Sequence, residues 1–275
     1  MSEADSKDRY TVPGLQRGLQ LLGQFTRDEP ELNGAELTRR LDLPRASVFR
    51  LLQTLELMGF IERVGDSSNY KLGIAVLRLG FEYLASMELT EHGRPVLDTL
   101  CTATGLSAHL VVRDQREVVF VAKAVGKSSL FNSIQVGARL PAHATVLGRV
   151  LLADLSMADL SELYAGQTLQ AFTAHTPTTL AKLKQLIDED KARGFGVSQG
   201  GFESGISTIA APVFDDRHSV TAAVSVTVPA QQVDASSLAA LVSQVKAAAS
   251  RLSQRISHLP PAVAGSPTSL EKTFA

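Results

Sequence analysis

At 275 residues the chain is long enough for one or two domains at about 150 residues each. Hydrophobic residues make up 44% of it and charged residues 20%, an ordinary globular balance that excludes wholesale disorder. A formal net charge of -1 argues against a uniformly basic nucleic-acid coat but permits a local basic patch. No apolar run reaches the roughly 18 residues of a membrane helix, so no membrane partner is expected. The opening MSEADSKDRY lacks the apolar core of a secretory leader. The one cysteine, Cys101, cannot form an internal disulfide and is too few for a cysteine-built zinc site. These features fit a cytoplasmic protein.

Residues 1–10 are polar and aperiodic, and 259–275 hold three prolines; both read as disordered tails. Leu15, Leu19, Leu22 and Phe25 step by four, three and three, one apolar face of a helix. Asn33 stands three residues before Glu36, as in a capping box with Asn in place of Ser or Thr. Leu37 and Leu41 carry the short helix that follows. Asp42-Leu43 predicts a tight turn, and Pro44 suits the first position of the next helix, where its missing N–H costs nothing. Val48, Leu51, Leu52 and Leu55 form that helix's buried stripe, and Gly59 ends it. Phe60, Ile61 and Val64, the polar turn 65–69, then Tyr70 and Leu72 read as a hairpin.

Leu77, Phe81 and Leu84 predict a helix over 74–87, and 89–104 is helical again, with a domain boundary near 85–90. From residue 107 the pattern is mixed. Strands are expected at 107–113 and 117–124, helices at 144–154 and from Leu180 to Gly194, strands at 206–214 and 220–228, and a long helix at 234–257. Hairpin-like connections imply an antiparallel sheet.

The order helix, turn, helix, hairpin over Glu36–Leu55 and beyond has the form of a winged helix-turn-helix. Its second helix would expose Arg45, Ala46, Ser47, Phe49, Arg50, Gln53 and Thr54. Arg can bond guanine and Gln adenine in bidentate fashion, and hydroxyls can reach bases or phosphates. Arg63 and Lys71 of the hairpin would lie near phosphates. Residues 1–84 hold 11 basic against 12 acidic side chains, but Arg39, Arg40, Arg45 and Arg50 crowd into twelve residues with one acid, Asp42. The alternatives are a solvated charged helix face, or a winged helix that contacts a protein partner.

In the strand 220–228, Val220, Ala222, Val224, Val226 and Val228 share the face expected to be core, which leaves Thr221, Ala223, Ser225 and Thr227 on the other. Ile206, Thr208 and Ala210 share a face of the neighbouring strand. Small and hydroxyl residues on paired strands leave room for a polar ligand, or form an exposed sheet face. A second wall is expected from Pro141–Gly148. A helix starting near Ala144 and Thr145 would offer free N–H groups to a carboxylate, and Gly148 would allow close approach.

The segment LTRRLDLPRASVFRLLQTLELMGFIER, followed by YKLG and preceded by LQRGLQLL, resembles the winged helix-turn-helix of IclR-type bacterial transcription regulators. LPAHATVLGRVLLA, TPTTLAKL, ARGFGV and FESGISTIAAPVFD resemble that family's effector-binding domain in the same order, so the likeness spans roughly residues 12–257. The resemblance implies an α+β chain. A winged helix-turn-helix spans 11–73 and a linker helix 74–88. A GAF-like effector domain with a mainly antiparallel sheet spans 89–258. It also implies a homodimer or tetramer on a pseudo-palindromic operator, and a small organic acid effector near Gly148, Ser198, Ile206, Thr208, Ser225 and Thr227. Thr208 stands where many members carry cysteine, and Ser198-Gln199-Gly200-Gly201 replaces an acidic stretch.

Catalysis finds little support. The six histidines (His92, His109, His143, His175, His218, His258) include no i,i+4 pair and no metal-ligand spacing, and no GxSxG, P-loop or GxGxxG occurs. His143 reads as a polar residue at a helix start or an effector ligand, and Cys101 as a buried inert thiol. No enzyme, metal or cofactor is expected.

Overall fold

The computed structural model describes residues 11–26, 28–86, 88–126, 134–203, 205–229 and 235–256; the two tails read as disordered lie outside them. The chain divides into two compact units, Met1–Ser86 and Met87–Ala275.

The first unit contains α1 (Pro13–Leu22), β1 (Leu32–Asn33), α2 (Gly34–Leu41), α3 (Arg45–Leu57), β2 (Ile61–Arg63), β3 (Asn69–Leu72) and α4 (Ile74–Ser86). The strands form an antiparallel sheet in the order β1-β3-β2, so the expected hairpin gains a third, two-residue strand. Leu21, Leu37, Val48, Leu52, Ile61 and Tyr70 are core. The Asn33 side chain accepts from the Glu36 N–H at 2.9 Å, but Glu36 turns its carboxylate to Arg39 and Arg40, so half of the expected capping box is missing. Asp42 closes α2 in the left-handed region at φ 50°, and Pro44 is the residue before α3, one position earlier than expected.

The stripe expected on α1 needs correction. Leu15 is 63% and Leu19 60% exposed, whereas Leu21 is fully buried and Gly18 faces Leu51 of α3. Of the expected stripe, Leu22 and Phe25 do reach the core, so the correction falls on Leu15 and Leu19, while Gly18 and Leu21 supply the buried side of the helix.

The second unit contains α5 (Glu88–Thr104), β4 (Ser107–Asp114), β5 (Glu117–Ala124), β6 (Arg139–Pro141), a 3-10 turn (Ala142–Ala144), α6 (Val146–Leu151), α7 (Met157–Leu163), α8 (Leu180–Arg193), β7 (Gly196–Gln199), β8 (Ile206–Phe214), β9 (Val220–Pro229) and α9 (Ala235–Ile256). Its six strands form one antiparallel sheet in the order β6-β5-β4-β9-β8-β7. Helices α5 and α9 pack on one face. Val146, Leu147, Val150 and Leu151 of α6 join Phe120, Val111 and Ala223 in a core on the other. Ala223 and Ser225 are therefore fully buried, and the β9 face opposite the valines is core over half its length. The helix expected over 144–154 is a 3-10 turn followed by a short α6, because Pro141 and Thr145 hold extended backbone on either side of the turn. Strands β6 and β7 and helix α7 did not stand out in the sequence.

Candidate functional site

Two arrangements could carry function, one in each unit. Helix α3 exposes Arg45, Ala46, Phe49, Arg50, Gln53 and Thr54, with Ser47 half-buried. The apolar stripe Val48, Leu52 and Leu55 faces the core, so the 3.6-residue period turns the polar stripe to solvent. Thr54 Oγ1 donates to the Arg50 carbonyl at 2.9 Å and is partly engaged by its own helix.

The expected cluster of four arginines separates into two kinds. Arg39 and Arg40 are both held by Glu36, and Arg40 also by Glu29, at 2.6 Å. These bonds lower the Glu36 pKa to about 2, the Arg39 hydrogen bond first and the Arg40 bond second. Arg45 and Arg50 make no ion pair among the described residues, and they are the cations left free for a polyanion. In the hairpin, Arg63 pairs with Glu56 at 3.1 Å and Lys71 with Glu62 at 3.0 Å. Both pairs are exposed, and pairs of that kind are weak.

The second arrangement is a cavity of about 620 Å³, counted with its open mouth, on the α6 side of the six-stranded sheet. Its floor follows from strand register. Ser107 pairs with Thr227, Thr227 with Thr208, and Thr208 with Ser198, so four hydroxyls from four strands stand in one row on one face, and three of them, Ser198, Thr208 and Thr227, line the cavity. Of the residues expected to hold an effector, Thr145, Ser198, Ile206, Thr208 and Thr227 line the cavity.

Ala144, Gly148 and Ser225 do not line it, for separate physical reasons. Ala144 is buried in the 3-10 turn. Gly148 meets its own chain: a Cβ there would lie 2.0 Å from the Ala142 carbonyl oxygen, so the close approach that needs glycine is backbone to backbone. Its N–H donates to Thr145 Oγ1 at 3.0 Å and is not free for a carboxylate. Ser225 lies one rung further along the sheet, beside His109, Ala210 and Gly196. There Val146 packs down to within 2.4 Å of where a Gly196 Cβ would be, and the Ser225 hydroxyl is sealed without a partner.

The second wall expected from Pro141–Gly148 supplies Val146 and Leu147, but sequence reasoning missed the other apolar walls, chiefly Phe120, Leu140 and Phe202, and also Glu203. The loop that carries the last two joins β7 to β8. Gly200 and Gly205 flank it at φ 73° and 84°. Its Gly201 carbonyl accepts from Thr173 Oγ1 at 3.2 Å and Thr176 Oγ1 at 2.9 Å. His143 is buried beside Tyr164 with Nε2 3.0 Å from the Gln170 carbonyl, away from the cavity.

His109, under the same sheet face, is 3% exposed. Burial first, and Lys123 second, lower its pKa to about 4. The neutral form is therefore favoured on folding. The unfolded side chain titrates near 6.5, so this contribution is complete above about pH 6.5 and is lost as pH falls through about 4. Up to ~3 kcal/mol is at stake. Urea melts of the native chain and His109→Gln at about pH 7 and about pH 4.5 should show the native protein losing more stability; parallel losses would refute the assignment.

Among the described residues no group of three or more His, Cys, Asp or Glu could hold a metal ion. Burial, then Asp98, raises the Cys101 pKa, the opposite of an activated thiol.

Residues 14–65 match the IclR helix-turn-helix domain, and residues 81–254 match the bacterial transcriptional regulator IclR C-terminal domain. The chain belongs to the IclR family. It is 30% identical over 250 residues to the HTH-type transcriptional regulator XynR of Escherichia coli K12, covering 90% of this chain and 98% of XynR. It is 29% identical over 219 residues to the HTH-type transcriptional repressor AllR of Klebsiella pneumoniae, 80% of each chain. An IclR homolog from Microbacterium hydrocarbonoxydans, solved with 4-hydroxybenzoate, shares the fold at a TM-score of 0.76 and 23% identity, over 88% of this chain and 98% of that one. IclR-family proteins are ligand-responsive DNA-binding transcription regulators, and the α+β architecture of this chain is theirs.

Proposed function

We propose that this IclR-family chain binds a pseudo-palindromic operator as a homodimer or a tetramer built from dimers, and that a small organic acid in the cavity of the second unit changes its operator affinity. The observation that carries the DNA side is the exposed face of α3, where Arg45 and Arg50 lack the acidic partners that hold Arg39 and Arg40. Ser47, Gln53 and the two arginines would read base edges from the major groove, with Arg63 and Lys71 exchanging their exposed carboxylates for phosphates. Two such helices must stand roughly 34–36 Å apart to enter successive major grooves.

Pairing has its own support. Val12 just before α1, Leu15 and Leu19 on it, and Ile74, Leu77 and Leu79 on α4, are all at least half exposed, more apolar surface than so small a unit leaves in water without a partner. A second copy of the first unit is the partner we infer. The linker α4 would couple effector occupancy to the spacing of the reading heads, by no more than the effector's differential affinity for the two arrangements. Operator binding is cytoplasmic work, and no described helix is long and apolar enough to cross a membrane.

The test is a gel shift of the full chain on the DNA upstream of its own gene. Arg50→Ala should weaken binding by about 1–3 kcal/mol and relax the preference at one base position. Native affinity should fall steeply with added salt as counterions return to the phosphates. A flat salt response, or unchanged affinity in the variant, would remove α3 from the DNA and favour a winged helix that contacts protein.

A further inference from the structure

The residues around the effector cavity are unevenly charged. Phe120, Leu140 and Leu147 supply apolar wall, and Thr208 and Thr227 neutral hydroxyls. Among the described lining residues the one formal charge is the carboxylate of Glu203. Among the described residues no arginine or lysine lines the cavity. Lys123, paired with His109 across β5 and β4, donates from Nζ to the Ile134 carbonyl at 2.6 Å.

Glu203 is also placed by the loop that carries it. Gly201, two residues before, is pinned through its carbonyl by Thr173 and Thr176 and through its N–H by Ser198 Oγ at 3.1 Å. Phe202 packs against Phe172 with ring centroids 4.9 Å apart and the rings tilted by 45°. The loop is thus held to the protein on both sides of the chain, and the exposed Glu203 side chain stands at the cavity mouth without an ion pair among the described residues.

We propose that Glu203 sets the charge of the effector: it accepts a hydrogen bond from a donor group on a ligand with an apolar body, and repels molecules that bring a second carboxylate. This rests on the cavity being the effector site. The hydroxyl row can donate to one carboxylate or accept from a neutral group. A dianion of the same size would put its far end against Glu203, with no lining cation among the described residues to offset the repulsion.

Four probes separate the possibilities by calorimetry on the full-length protein: 4-hydroxybenzyl alcohol, 4-hydroxybenzoate, terephthalate and succinate. The two hydroxylated rings should bind at least about tenfold tighter than terephthalate, and succinate weakest. In Glu203→Gln, terephthalate should gain about tenfold and 4-hydroxybenzoate should weaken, which closes the gap. An unchanged ratio in that variant overturns the proposal, as does dianion binding equal to that of the hydroxylated rings, or no ring binding at all. Melting of the ligand-free variant at the native temperature checks that it folds. Operator titrations with the bound compounds report separately on the regulatory reading. If a compound binds with the expected preference but leaves operator affinity unchanged, regulation through this cavity fails while the role of Glu203 stands.

Discussion

Asp190→Ala should destabilise the effector-binding domain by about 3–5 kcal/mol, the range for breaking a buried ion pair by removing one partner. Asp190 is 3% exposed. One carboxylate oxygen accepts from Arg149 Nε at 2.7 Å, and the other from Arg193 Nη2. Arg149 is itself buried and donates from Nη2 to the Val197 carbonyl at 3.2 Å. Without Asp190 a buried guanidinium keeps a single carbonyl for company, which is far from enough to replace lost hydration. The reverse substitution, Arg149→Ala, should cost less, because the half-exposed Arg193 still neutralises the carboxylate. Replacing both partners with apolar residues, Arg149→Met with Asp190→Leu, should recover most of the loss. Urea unfolding of the three variants decides the matter. A loss under about 1 kcal/mol in Asp190→Ala, or a double variant no better than the single, would contradict the buried-pair account. The pair also ties α6, which opens with the Thr145–Leu147 wall, to α8 and to β7, which carries Ser198. Ligand affinity should therefore drop in any single variant that still folds.

Much of the fold was legible wherever an element was long and its pattern was satisfied inside the unit. Helices α2, α3, α8 and α9 and strands β4, β5, β8 and β9 all announce themselves by period and by their flanking turn residues. The two-residue β1, three-residue β6 and four-residue β7 are too short for alternation to register. Periodicity on α1 found an apolar stripe but could not say what covers it, and Leu15 and Leu19 proved to be on the open side. The arginine cluster held a signal that was overlooked. Glu36 precedes Arg39 by three residues and Arg40 by four, the spacings at which helical side chains meet, so two of the four cations were already accounted for in the sequence. The cavity divided along similar lines. Thr208 and Thr227 of its floor followed from strand alternation, because register is local, whereas Ser198 came from the family resemblance. Phe120, Leu140 and Glu203 converge from separate segments of the chain, and no spacing links them.

Gly148→Ala should be severely destabilising, at or above the upper end of the ~1–3 kcal/mol that over-packing usually costs. Over-packing ordinarily displaces side chains, which can change rotamer. Here a Cβ would fall 2.0 Å from the carbonyl oxygen, 2.3 Å from Cα and 2.4 Å from the carbonyl carbon of Ala142, and backbone cannot turn aside. Every residue of α6 from Val146 to Leu151 is buried, so the helix has no open side to move toward. The displacement would instead be forced onto the Ala142–Ala144 turn or onto Val146 and Leu147, two residues of the cavity wall. Loss of effector affinity should accompany loss of stability, whereas binding of the first unit to operator DNA should survive in protein that remains folded. Gly166→Ala makes the useful contrast: a Cβ there meets nothing within 4 Å, and its penalty comes from a positive φ of 69° alone, of order 1 kcal/mol. Denaturation curves of the two variants should differ in that order. If Gly148→Ala were as mild as Gly166→Ala, the tight seat of α6 on the 3-10 turn would not be what shapes the pocket wall.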